Sequence, residues 1–168
     1  LDIYEGVAKG KALDMSQGGQ VLNYDGSLTG TSDYADIAGA DVVVVTSGFP
    51  RKPGMSREDL IGKNADIISQ VGAGIKEHAP DSRIVMVTNP LDLMTYHMQK
   101  VTDFPANRVV GQAGILDSAR MTHFVAQELG CANEDVSAMV LGGHGDTMVP
   151  LPRYTTVGGI PITQLLDE

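Results

Sequence analysis

Asp41-Val42-Val43-Val44-Val45-Thr46-Ser47-Gly48-Phe49-Pro50 is the stretch whose reading decides the fold. Four consecutive valines closed by small and turn-forming residues have the signature of a buried strand. Downstream, Leu60, Ala65, Ile67, Ile68, Val71 and Ile75 approximate one face of an amphipathic helix over Ser56 to His78. Arg83 to Val87 is the next apolar run, and it stops at Thr88-Asn89-Pro90. A strand, a long helix and a second strand in that order predict a βαβ unit and hence a parallel α/β sheet.

Working outward, Leu91 to Val101 reads as helix and Arg108 to Gly111 as a short strand. Ile115 to Leu129 reads as a helix opened by Asp117 and Ser118 and closed by Gly130. Val136 to Leu141 reads as one further strand, ended by Gly142-Gly143-His144-Gly145-Asp146, with extended segments from Pro150 and a helix starting near Pro161. Toward the N-terminus, Gly6 to Met15 predicts a short helix, a Gly/Asn/Asp-rich connection follows through Gly26, and Ser27 to Thr31 is a candidate strand. The opening Leu1-Asp2-Ile3 reads like the end of a strand already under way, so the expectation is a partial chain. Ligands of parallel sheets bind at the carboxyl ends of the strands, and Ser47, Asn89 and His144 each follow an apolar run.

Composition narrows the function. A net charge of −9 with no basic tract argues against nucleic acid and anionic membranes as partners. No apolar run approaches membrane-spanning length. The single cysteine, Cys131, allows no internal disulfide and favours a reducing compartment, so the expected location is cytoplasmic. His78, His97 and His123 lack partners at metal-ligand spacing, so no metal is expected. No Gly-x-Ser-x-Gly elbow suggests a serine hydrolase. No Gly-x-Gly-x-x-Gly occurs either, and Gly72-Ala73-Gly74 lies inside a helical pattern.

Four places carry residue types suited to proton transfer and anion binding. His144 lies among glycines that let the backbone approach a ligand, and an imidazole can take or give a proton. A surface-loop histidine is the bland alternative. Asp117 and Arg120 share a helix face at i, i+3; they are either a local ion pair or, respectively, an orienter for His144 and a fork for a carboxylate. Arg51, Lys52 and Arg57 concentrate positive charge in a Pro/Gly loop on an acidic background, as an anion-binding lid or a solvated basic loop. Asn89 is either a donor to a ligand oxygen or a turn residue ahead of Pro90.

Four segments resemble the lactate/malate dehydrogenase family, in its lactate-dehydrogenase-like group. They are Gly48-Phe49-Pro50-Arg51-Lys52-Pro53-Gly54-Met55-Ser56-Arg57, Val87-Thr88-Asn89-Pro90-Leu91-Asp92, Gly114-Ile115-Leu116-Asp117-Ser118-Ala119-Arg120 and Gly142-Gly143-His144-Gly145-Asp146. They occur in family order over nearly the whole chain. The resemblance implies a Rossmann-type parallel sheet lacking its first strand, followed by the start of an α+β catalytic domain. The expected division is residues 1–113, a partial NAD-binding domain, and 114–168, the beginning of the substrate domain.

The resemblance also implies roles. His144 is the proton acceptor in malate oxidation and Asp117 its orienting partner, which favours the imidazolium when oxaloacetate is reduced. Arg120 clamps the carboxylate beside the reacting carbon, and Arg57 closes over the site and polarises the carbonyl. Arg51 stands at the specificity position, where lactate dehydrogenases usually carry glutamine. A second substrate carboxylate pairs with it, and a monocarboxylate leaves it unpaired at a penalty of about 2–5 kcal/mol. Asp2 is expected at a strand end on the adenosine ribose, favouring NAD, while Asn64, Val87, Thr88 and Asn89 are expected cofactor contacts, Asn89 also touching substrate. The implied activity is NAD-dependent interconversion of malate and oxaloacetate, a step of the tricarboxylic acid cycle, by a homo-oligomer. The alternatives are a lactate or other 2-hydroxy acid dehydrogenase, or a non-catalytic remnant kept as an oligomerisation scaffold. An isolated chain of this length is expected to be inactive and prone to associate.

Overall fold

The computed structural model describes residues 1–50 and 53–166, with Arg57 described in its backbone only. Three parallel strands form the central sheet in the order β1 (Val42–Val45), β2 (Arg83–Met86) and β3 (Val109–Gly111). Helix α2 (Arg57–His78) connects β1 to β2, and α3 (Leu91–Thr102) connects β2 to β3. The register pairs Val43 with Ile84 and Val45 with Met86, and Ile84 in turn with Val109. These five side chains therefore point to one face, where they meet Ile68 and Ile75 of α2 and Met94 and Met98 of α3. All four of those helix residues are at most 1% exposed. Burial on that scale stabilises by about 1.5–3 kcal/mol per side chain.

The valine run behaves differently from its sequence signature. Val45 is buried, yet Val42 and Val44 remain 52% and 59% exposed. Alternation along the strand sends them to the sheet face opposite α2 and α3, joined there by the exposed Val110. Parallel sheets are ordinarily covered on both faces, so an all-apolar strand has been written for a cover that the described residues do not supply.

Helix α2 starts on a reciprocal cap. The Ser56 hydroxyl accepts from the Asp59 N–H at 3.0 Å, and the Asp59 carboxylate accepts from the Ser56 N–H at 3.3 Å. Hydrogen bonding of the Ser56 side chain and backbone to its carboxylate holds Asp59 below the usual carboxylate range. Lys76 and His78 in the last turn complement the helix dipole. Between the helices, His97 Nε2 bonds to Ser69 Oγ at 2.8 Å and to the Ala65 carbonyl at 3.1 Å, which makes it a packing histidine.

Four expectations are corrected. The first helix, α1, runs Glu5–Leu22 rather than stopping at Met15. Gly18 and Gly19 do not break it; the close approach of the Tyr24 carbonyl to Gly19 leaves no room for a Cβ, and the helix ends only where Asn23 turns left-handed at φ 55°. Residues 27–31 form no strand, and neither do residues 1–4. Their backbones meet through Asp2 N–H to the Thr31 carbonyl at 3.0 Å, with no ladder to extend it. Asp2 thus lies in irregular chain, not at a strand end.

The third correction concerns Val136 to Leu141, which is two strands with different partners. After α4 (Gly114–Leu129), β4 (Val136–Ser137) pairs antiparallel with β7 (Thr156–Val157), which pairs with β8 (Ile160–Pro161). Strand β5 (Val140–Gly142) instead pairs antiparallel with β6 (Met148–Pro150). The break falls at Ala138 and Met139, after which the Val140 N–H donates to the Ser118 hydroxyl at 3.1 Å. A short 3-10 turn, Ile162–Gln164, stands where a helix was expected near Pro161. No helix of the described residues is long and apolar enough to cross a membrane.

Candidate active site

Three elements converge on one cleft. The N-terminal end of α3 brings Leu91, Asp92 and Thr95, the N-terminal end of α4 brings Asp117, and the β5–β6 hairpin brings Gly142, Gly143, His144 and Met148. The space they enclose is about 250 Å3. It lies beside Gly111, at the carboxyl end of β3, where ligands of parallel sheets bind.

Asp117 is the hub of the polar residues. It is 6% exposed and divides its two carboxylate oxygens between two partners. Oδ2 faces His144 Nδ1 at 2.8 Å, and Oδ1 accepts from Arg120 Nη1 at 3.2 Å. The sequence left a choice between a local Asp117–Arg120 pair and an Asp117–His144 pair, and the structure contains both. With the carboxylate as acceptor, Nδ1 carries the ring proton and Nε2 keeps a lone pair for another molecule. The Arg120 side chain is 59% exposed, so its remaining donors are accessible while one nitrogen is held.

His144 is also held through its backbone. Its N–H donates to Asp92 Oδ2 at 2.9 Å. Sequence reading assigned Asp92 no role, and nothing local could have found it, because the two residues are separated by 52 positions. Gly142 turns at φ 87°, and a Cβ on Gly143 would meet the Thr147 hydroxyl and lie 3.3 Å from the Asp92 carboxylate. Gly142 therefore serves the turn, and Gly143 the close approach of Thr147 and, less tightly, of Asp92.

The expected cofactor residues lie at the carboxyl ends of β1 and β2, bound into a brace. Asn64, 1% exposed on α2, accepts from the Phe49 N–H at 2.6 Å and donates to the Asn89 carbonyl at 2.7 Å. The buried Thr88 hydroxyl donates to the Ser47 carbonyl at 2.7 Å, and the Val87 N–H to the Val45 carbonyl at 2.9 Å. Asn64 and Thr88 thus direct their side-chain polar groups to backbone, while the Asn89 side chain stays exposed. The Asn89–Pro90 bond is cis. Asp2 sits apart from His144, on a second cleft of about 210 Å3 shared with Lys11 and Gly30; its Oδ1 accepts from the Tyr4 N–H at 3.0 Å. Arg51, Lys52 and the Arg57 side chain fall outside the described residues. Among the described residues no group of three acidic, histidine or cysteine side chains could hold a metal ion.

Comparison with known proteins then places the arrangement. Residues 1–111 match the NAD binding domain of lactate/malate dehydrogenase, and residues 115–168 match the alpha/beta C-terminal domain of the same family. The chain belongs to the lactate/malate dehydrogenase family. Malate dehydrogenase from Geotalea daltonii is 56% identical over 168 residues, covering all of this chain and 53% of the relative. The apo structure of malate dehydrogenase from Picrophilus torridus superposes with a TM-score of 0.93 at 49% identity, over 99% of this chain and 53% of that one. Lactate dehydrogenase from Cryptosporidium parvum, solved with lactic acid and nicotinamide adenine dinucleotide, gives a TM-score of 0.88 at 44% identity, over 98% and 52%. The chain thus spans about half the length of the relatives it matches.

Proposed function

We propose that this chain is part of an NAD-dependent oxidoreductase that interconverts malate and oxaloacetate. One observation carries the reading: a buried carboxylate, Asp117, shared between an imidazole and a guanidinium at the rim of a cleft. Oxidising a 2-hydroxy acid requires a base for the hydroxyl proton and a cation for the adjacent carboxylate, and one aspartate orients both. His144 Nε2 takes the hydroxyl proton, and Asp117 stabilises the imidazolium that results. Arg120 binds the carboxylate beside the reacting carbon through its exposed donors. Arg57 closes the site and polarises the carbonyl; Arg51 pairs with the second carboxylate.

The residues present fit NAD. The carboxyl ends of β1 and β2 are locked side by side by Asn64 and Thr88 with the Asn89 side chain left exposed, and Asp2 offers a part-exposed carboxylate to a ribose. Asp2, Val87 and Asn89 would hold the dinucleotide, with Asn64 and Thr88 acting through the loops they tie. When bound, NAD supplies the hydride acceptor. We place the domain division between residues 113 and 114, supported by the two family matches that flank it. The intact enzyme on this reading is a cytoplasmic homo-oligomer of the tricarboxylic acid cycle. The exposed apolar residues Ile115 and Phe124 of α4 offer a surface for a second copy.

The test is NADH oxidation by the full-length enzyme with oxaloacetate and with pyruvate, alongside Arg51→Gln. A strong oxaloacetate preference that the variant loses or inverts supports malate as substrate. Equal or better use of pyruvate by the unmodified enzyme turns the reading to a lactate dehydrogenase.

A further inference from the structure

We infer that Asp92 is a positioning residue for His144, tying the histidine loop to the N-terminal end of α3. The inference rests on the acid–base reading of His144 given above. Two independent features carry it. The Asp92 Oδ2 to His144 N–H bond, at 2.9 Å, joins elements 52 positions apart in sequence, one following β2 and the other following β5. Gly143 leaves room beside that bond: a Cβ there would meet the Thr147 hydroxyl and crowd the same Asp92 oxygen at 3.3 Å.

The loop needs such a tie. His144 is flanked by Gly142, Gly143 and Gly145, and glycine loses the most conformational freedom on ordering. The Asp117 contact fixes the ring through Nδ1, and the Gly145 N–H to Gly143 carbonyl and Met148 N–H to Gly145 carbonyl bonds, both 3.0 Å, close the loop on itself, which leaves it to pivot as a unit about the ring contact. A second contact, from Asp92 to the backbone, removes the pivot. Asp92 also follows Asn89-Pro90 by two residues, so the helix end that carries the exposed Asn89 also sets the height of the histidine. Donor Asn89 and base His144 are therefore held in one frame, and misplacement of about 1 Å in such a frame can cost on the order of 100-fold in rate. The simpler role for Asp92, an acid in the first turn of α3 complementing its dipole, predicts a stability effect without a specific effect on turnover.

The experiment compares Asp92→Ala, Asp92→Asn and His144→Asn in the full-length enzyme. The expected result for Asp92→Ala is a kcat lower by about 10- to 100-fold with the KM for NADH unchanged. Asp92→Asn, which keeps an acceptor oxygen, restores most of the loss. Turnover of Asp92→Ala within about twofold of the parent overturns the inference, and so does an equal loss in Asp92→Asn, which would assign the effect to charge. Should Asp92→Ala fail to fold, hydrogen exchange at the His144 amide of the unmodified enzyme decides: slow exchange supports the tie, and exchange at the unprotected rate overturns it. His144→Asn separates the two levels. If it keeps full turnover, the acid–base reading falls and this inference with it; if it is inactive while Asp92→Ala is fully active, only the role of Asp92 falls.

Discussion

Replacing Asn64 tests whether the loops after β1 and β2 are held as the structure shows. The side chain is 1% exposed and makes two short bonds, from the Phe49 N–H at 2.6 Å and to the Asn89 carbonyl at 2.7 Å. Asn64→Ala removes both bonds, at about 1–3 kcal/mol each. Asn89 is exposed and can recover part of its loss, so we expect about 2–4 kcal/mol in all. Asn64→Asp is the sharper probe. Its carboxylate still accepts from Phe49 but sets an oxygen against the Asn89 carbonyl, whereas the protonated acid donates there as the amide does. Burial and that bond favour the neutral form, raising the folded pKa above the unfolded value of about 3.9. Stability from the neutral form is thus fully present below the unfolded pKa and is lost as pH rises through the folded pKa. Urea unfolding of the full-length enzyme at pH 5 and pH 8 measures this. Asn64→Asp should approach the parent at the lower pH and fall away at the higher. An Asn64→Ala variant within about 0.5 kcal/mol of the parent, or an Asn64→Asp deficit independent of pH, would refute the reasoning.

Other predictions follow from single contacts. Asp117→Asn presents an amide to Nδ1 that can impose the wrong tautomer, so kcat should fall on the order of 1,000-fold or more while the fold persists, measured by single-turnover kinetics and circular dichroism. Ser56→Ala removes the cap of α2 and should cost about 1 kcal/mol in urea unfolding. It should also return the Asp59 carboxyl toward its ordinary range in an NMR titration. Because the Asp59 pKa is lowered in the folded state, its contribution is present above the ordinary carboxylate pKa and lost as pH falls through the lower folded value. The isolated 168-residue chain should self-associate through the bare valines of the central sheet and show no turnover. Sedimentation of a monomer with oxaloacetate-dependent NADH oxidation would refute both expectations.

The sequence by itself determined what depends on neighbours along the chain. The run of valines, the 3.6-residue periodicity over Ser56 to His78 and the turn residues after each strand defined a parallel βαβ order, because strand and helix patterns are local. Resemblance pointed to His144, Asp117 and Arg120, but not to their geometry. Tertiary structure decided what depends on contacts between distant residues. It divided the carboxylate of Asp117 between an imidazole and a guanidinium, buried Asn64 as a brace, and set Asp92 under the histidine 52 positions away. It also broke Val136–Leu141 into two strands, since a short apolar run is equally suited to either partner and only the available edge selects one. Local propensity fixes which residues can form an element; which backbone groups find partners is settled only when the chain closes on itself.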